Sequence, residues 1–185
     1  ADLNELSQKE VSRKVMRIKL SKQDAHSCQL MGADTVKLCE MQGFPPRLEN
    51  KTQSRVEANV YGFKAEFAVA RLFGLDLPTI NVMTDGGVDL WFNDFTIDVK
   101  FTNAEYGNLI FDSMPKFKSQ IAILVGKTED PDIMRVNGWM PRSEFQKTAH
   151  RKDFGYGERL FLKYDELLPI ESLWARLMKH KFKQA

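Results

Sequence analysis

On either side of Asn93-Asp94 the chain alternates apolar and polar positions with a period of two, from Val88 to Phe92 and again from Phe95 to Val99. Two such runs joined by a pair of residues that tolerate positive φ predict a β-hairpin with a tight turn. With Asn93 and Asp94 as the loop, Phe92 opposes Phe95, Trp91 opposes Thr96, Leu90 opposes Ile97, Asp89 opposes Asp98 and Val88 opposes Val99. Side chains alternate along a strand, so Val88, Leu90, Phe92, Phe95, Ile97 and Val99 form an apolar face. Asp89, Trp91, Thr96, Asp98 and Lys100 form the other.

The longest segment with helical apolar period runs from about Val56 to Phe73, with Val60, Phe63, Phe67 and Ala70 on one stripe and Val69, Leu72 and Phe73 widening it. Gly74 ends it. Glu66 lies on the side of Val69, Ala70 and Phe73, and read alone it is a boundary glutamate reaching to water. Upstream, Ser21 with Asp24 predicts a capped helix running to Met41 and stopping at Gly43 before Pro45-Pro46. Before that helix, residues 4 to 15 predict a short polar helix and Met16 to Leu20 a brief strand. Gln120 to Lys127, QIAILVGK, is a continuous apolar run of strand length, which predicts a buried central strand. Ile133 to Met140 and Arg159 to Lys163 predict further strands, and Glu171 to Lys181 a final helix after Pro169. The remainder reads as connection: Arg47 to Arg55, Leu75 to Met83 with room for a short strand, Asn103 to Lys118 with a short helix, and the polar stretch holding Arg142, Lys147, His150, Arg151 and Lys152.

With no internal repeat or linker, the 185 residues predict a single domain large enough to bury a core without a structural metal or disulfide. Its sections are an N-terminal helical extension over 1–55, a core over 56–140 and a C-terminal strand and basic helix over 141–185. The fold class is mixed α/β (α+β), with a central mixed sheet flanked by helices. A hydrophobic fraction of 43% and a charged fraction of 28% are ordinary for a soluble protein. Cys28 and Cys39 lie too far apart along one helix to bridge. Together with the lack of a paired Cys/His pattern, they predict a reducing, cytoplasmic setting. No apolar run approaches the roughly 18 residues of a membrane span, and ADLNELSQKE carries no apolar secretion segment, so no membrane partner is expected. A net charge of +2 excludes little, but Leu173 to Ala185 holds Arg176, Lys179, Lys181 and Lys183 without an acid. That stretch is either a phosphate-facing surface or a solvated helix end.

Candidate chemistry changes how the hairpin is read. Two ionised carboxylates about 5 Å apart repel by about 3 kcal/mol at an effective dielectric near 20. Selection for strand stability alone would avoid that pairing. A divalent cation held by both oxygens, with an ammonium two residues along, turns the repulsion into a binding site. The spacing of Asp, gap, acid, any residue and Lys recurs about once by chance in a chain of this length, so context must supply the specificity. Here Asp89 and Asp98-Val99-Lys100 fall on a hairpin that opposes the acids, follows a helix containing Glu66 and precedes a buried strand.

Glu66 on its helix, then Gly87-Val88-Asp89-Leu90, then Ile97-Asp98-Val99-Lys100, resembles the PD-(D/E)XK nuclease superfamily over about Val56 to Val125. Val88 stands where that family often has proline, and the second acid is Asp rather than the commoner Glu. Gly138-Trp139-Met140-Pro141 and the segment from Tyr156 to Pro169 resemble small phage and bacterial members. The resemblance implies a restriction-endonuclease-like αβββαβ core, Mg²⁺ or Mn²⁺, and hydrolysis of DNA phosphodiesters. Carried onto this chain, Asp89, Asp98 and the carbonyl of Val99 would be metal ligands, and Glu66 would complete the shell directly or through water. Lys100 would position or help deprotonate the attacking water. Oxygen ligands suit a hard cation that lowers the pKa of bound water.

Around this motif, Lys116 and Lys118 interleave with Phe111 and Phe117 in a basic aromatic stretch that either contacts the DNA backbone or is a solvated loop. Arg47, Lys51 and Arg55 offer a second set of cations. Trp91 either stacks on a base and flanks the cleft or covers the sheet beneath a helix. Asp85 reads as turn chemistry, and His26, His150 and His180 as surface or packing residues. Alternatives to a nuclease are a catalytically silent DNA-binding or phage assembly module of the same fold and a hydrolase acting on a nucleotide. A homodimer would suit a duplex with two strands, though no sequence feature marks its surface.

Overall fold

A computed structural model describes residues 16–43, 54–80 and 88–183, excluding the Phe182 side chain. The helix expected over 4–15, and Arg47, Lys51 and Asp85, lie outside the described residues. Strand β1 spans Met16–Lys19, and helix α1 spans Lys22–Met41. Ser21 Oγ accepts the Asp24 amide at 3.0 Å, the capping contact that sequence spacing predicts. Helix α2 spans Arg55–Phe73 and ends on Gly74, whose φ of 64° suits a residue without Cβ. Arg55 therefore opens a helix instead of closing the polar loop. Ser54 makes the difference, because its Oγ accepts the Glu57 amide at 3.1 Å and sets the boundary one residue earlier.

α2 is buried on more of its surface than one stripe requires, with Tyr61, Lys64, Ala65 and Ala68 inside alongside Val60, Phe67 and Ala70. α1 covers one flank and the sheet the other, and a Cβ on Gly32 would collide with Val60 where the helices cross. Arg71 then clamps Asp24 of α1 through bonds of 2.8 and 2.9 Å.

The strands that follow are β2 (Leu90–Phe92), β3 (Phe95–Thr102), β4 (Leu109–Phe111), β5 (Ile121–Lys127) and β6 (Ile133–Pro141). After them come α3 (Arg142–Thr148), β7 (His150–Asp153), β8 (Glu158–Leu162) and α4 (Ile170–Lys183). The main sheet runs β1-β6-β5-β3-β2, with β3 and β5 parallel and the other neighbours antiparallel. The fold is thus mixed α/β with a central mixed sheet, and β5 is its fully buried middle strand. A small antiparallel sheet, β4-β8-β7, lies apart from it.

One face of the main sheet carries Ile97, Val99, Ile123 and Val125 into a core shared with α2 and with Ile170, Leu173 and Leu177 of α4. The opposite face carries Ala122, Leu124 and Met140 into a second core with Phe111, Phe117 and Phe145. The crossover from β3 to parallel β5 passes through β4 and a single 3₁₀ turn, Met114–Lys116, and not through the α-helix that an αβββαβ order implies. β4 has only three residues and β7 is exposed along its whole length, so neither shows the apolar alternation that marks a strand in sequence. α3, also unforeseen in the polar stretch, buries only Phe145.

Candidate active site

The hairpin forms in the expected register. Leu90 pairs with Ile97, Trp91 with Thr96 and Phe92 with Phe95. Asn93 takes the positive φ, 55°, that lets a two-residue loop turn. The regular ladder stops at Leu90, because the Asp89 amide donates to the Ile97 carbonyl at 3.1 Å, the residue with which Leu90 is already paired. Asp89 is thereby displaced from simple opposition to Asp98, and its Oδ2 accepts the Val99 amide at 2.7 Å. The two carboxyl groups nevertheless stay close enough for the Asp98 charge to act on Asp89.

Two carboxyl groups that interact this way titrate as a pair. Asp98 is only 2% exposed. Burial first, and then the charge of Asp98, push the Asp89 carboxyl up to about 7, against the opposing pull of the Val99 amide and the Lys100 charge. Lys100 Nζ lies 3.0 Å from Asp98 Oδ1 and 4.9 Å from the centroid of the Phe111 ring. Burial alone would lower the Lys100 pKa. The charge of Asp98, the hydrogen bond with it and the charges of Asp89 and Asp112 outweigh burial and raise it, so Lys100 is held as an ammonium.

Glu66 stands on α2 and lines a cavity of about 620 Å³ together with Asp89 and Trp91. Among the described residues no three His, Cys, Asp or Glu side chains are grouped to hold a metal ion. The donor set brought together is therefore Asp89, Asp98 and the neighbouring Val99 backbone, with Lys100 beside them. Two neighbouring carboxyl groups, Asp98 buried and Asp89 half-buried, suit a hard divalent cation, whose charge would offset their repulsion.

Of the cations considered for DNA contact that fall among the described residues, Lys116 and Lys118 are exposed and Arg55 pairs with Glu40 at 3.5 Å. Their interleaved aromatics serve a different purpose. Phe111 and Phe117 are buried, their ring centroids 4.3 Å apart, in the core beneath the small sheet. Trp91 is 55% exposed and flanks the cavity instead of lying under a helix.

Sequence spacing missed three supports. Gln120 accepts the Thr96 amide at 2.9 Å and donates its own amide to Thr96 Oγ1 at 2.9 Å, joining the start of β5 to β3 beside Asp98. A polar residue immediately before an apolar run was the available signal. His180 of α4 contacts Asp94 in the hairpin turn at 2.6 Å and packs near the Phe95 ring. Lys64, 3% exposed, binds the Pro131 carbonyl at 2.8 Å and Asp132 at 2.9 Å, fixing the β5–β6 connection to α2. Neither of these two contacts has a local signal, because each joins residues far apart in the chain.

No family model, curated protein or solved structure matches this chain. Its described fold and site define a mixed α/β protein with a carboxyl pair, Asp98 buried and Asp89 half-buried, near the edge of a central sheet.

Proposed function

We propose that this chain is a metal-dependent DNA endonuclease of the PD-(D/E)XK type, using Mg²⁺ or Mn²⁺ to hydrolyse phosphodiester bonds. The observation that carries the proposal is the convergence of Asp89, Asp98 and Lys100, residues of an otherwise common spacing pattern, in one place. Asp89, Asp98 and the Val99 carbonyl would hold the ion, with Glu66 on the wall of the adjoining cavity as the further acid. A bound ion would supply a water of lowered pKa and stabilise charge developing on the phosphate. Lys100 acts as a cation: held protonated by Asp98, it donates hydrogen bonds toward a phosphate oxygen or the attacking water instead of removing a proton. Asp89 stays oriented by the Val99 amide, and Gln120 fixes the strand on which Asp98 and Lys100 stand.

A catalytically silent DNA-binding module is the second reading, favoured by the lack of a three-acid group among the described residues. The two are separated by incubating the purified protein with supercoiled, linear, single-stranded and branched DNA in Mg²⁺, Mn²⁺ or EDTA. The nuclease should cut only with metal, and Asp98→Ala and Lys100→Ala should each lower the rate by about a hundredfold or more. Metal-independent cutting, or cutting unchanged in both variants, would overturn the mechanism. Tight binding without any cutting would establish the silent module.

A further inference from the structure

The cavity beside the acid pair has walls of two kinds. Phe63, Leu77 and Pro78 are apolar, and Trp91, 55% exposed, belongs to its lining at the strand edge. Its charged lining among the described residues is Glu66, Asp76 and Asp89, with no Lys or Arg. A space built this way repels a phosphodiester backbone, which is bound by cations. It suits the uncharged part of a nucleotide: a base has a π-face for an indole, and its amino or imino hydrogens can be accepted by carboxylates. The volume of about 620 Å³ is sufficient for a single nucleoside.

Trp91 and Asp89 are two residues apart on the same edge of the sheet. That separation is roughly 7 Å along an extended strand, about the reach of one nucleotide. A phosphate at the acid pair would therefore bring the adjoining base to Trp91. In a duplex that base is paired and stacked, and reaching the ring would require extrusion at a cost of a few kcal/mol.

From this arrangement we propose that the cavity receives one unpaired base stacked on Trp91, so that the substrate class is single-stranded DNA, including the unpaired arm of a branched molecule. The inference rests on the nuclease reading for the position of the phosphate, and concerns what lies next to it.

The test measures binding of a single-stranded oligonucleotide of about 12 nucleotides, and of the matching duplex, to the intact protein with Ca²⁺ and separately with EDTA. Tryptophan fluorescence and anisotropy are read for the original chain, Trp91→Ala and Trp91→Phe. Single-strand binding should quench fluorescence that the Trp91 variants lack, Trp91→Ala should weaken it roughly tenfold, and Trp91→Phe should recover part of the loss. Duplex binding should be weaker and indifferent to Trp91. Thermal unfolding of the variants controls for folding. Under Mg²⁺ the Trp91→Ala loss should appear in KM for single-stranded substrate.

Equal single-strand affinity in the original chain and Trp91→Ala would overturn the base-stacking inference, as would duplex binding of equal tightness and quenching. Trp91-dependent binding without cleavage would leave the base cavity standing and reject the nuclease reading. Duplex cleavage insensitive to Trp91 would do the reverse. Failure to bind either DNA form under both conditions would reject both.

Discussion

At the scale of single residues, Asp89 contributes a pH dependence opposite in sign to that of the paired carboxylates Asp24 and Glu166, whose pKa values are lowered. Its carboxyl titrates near 3.8 when unperturbed and is pushed up to about 7 in the folded chain, by burial first and then by Asp98. The folded state therefore binds more proton than the unfolded state between those values, and stability falls as pH rises from about 4 through about 7, flattening above. Asp89→Asn keeps an oxygen to accept the Val99 amide and removes the ionisation. In metal-free buffer at pH 8 this variant should be more stable than the original chain by on the order of 1–3 kcal/mol, with a much flatter profile from pH 4 to 7. Denaturant unfolding across that range checks both, and a less stable Asn variant at pH 8 would reject the desolvated pair. Lys100 shows how a neighbour decides a role: spacing alone allows it to be a base, whereas contact with Asp98 keeps it cationic.

At the scale of elements, the turn that brings the acids together is itself testable. Asn93 holds a φ of 55°, a conformation that Asn and Gly tolerate better than Ala. Asn93→Ala should lower stability by about 1 kcal/mol and Asn93→Gly should be close to neutral, as thermal melts would show. Equal stability of the two variants would mean that the turn does not constrain the hairpin. The second core makes a larger prediction. Phe117 is fully buried against Phe111 and Phe145, so Phe117→Ala should cost about 3–5 kcal/mol by urea titration. A cost below about 1 kcal/mol would place Phe117 at a yielding edge of the small sheet. Of these elements, the long helix and the β2–β3 hairpin were legible because apolar period and turn residues are local properties. β4 was not, because a three-residue strand gains its order from pairing with β8, which lies about fifty residues on in the chain.

At the scale of the whole molecule, the two faces of the main sheet are sealed by different materials, helices on one and the small sheet with its phenylalanines on the other. Asp89 and Trp91 stand by β2, the strand at the edge of that sheet, where a large ligand can approach. Among the described residues no helix is long and apolar enough to cross a membrane. If the acid pair takes up a divalent ion, folding and binding are linked, because an ion bound only by the folded chain stabilises it by mass action. Mg²⁺ at pH 8, at about a hundred times its Kd, should stabilise the original chain by about 2.7 kcal/mol and raise its melting temperature, while leaving Asp98→Asn nearly unmoved. Calorimetry with and without the ion reads this independently of any activity, and an equal rise in both proteins would place ion binding elsewhere.

The sequence by itself determined the hairpin register, the capped helix α1, the long helix ending at Gly74 and the buried middle strand. Each depends on side-chain period or turn chemistry within a few neighbouring residues. Tertiary structure alone decided that Asp89 leaves the regular ladder yet stays coupled to Asp98, and that Glu66 lines one cavity with Asp89. It also decided that Phe111 and Phe117 build a core and that Trp91 stays uncovered. Burial, the coupling of carboxyl groups and ring packing depend on what segments distant in the chain place around a residue, and one-dimensional spacing does not carry that information.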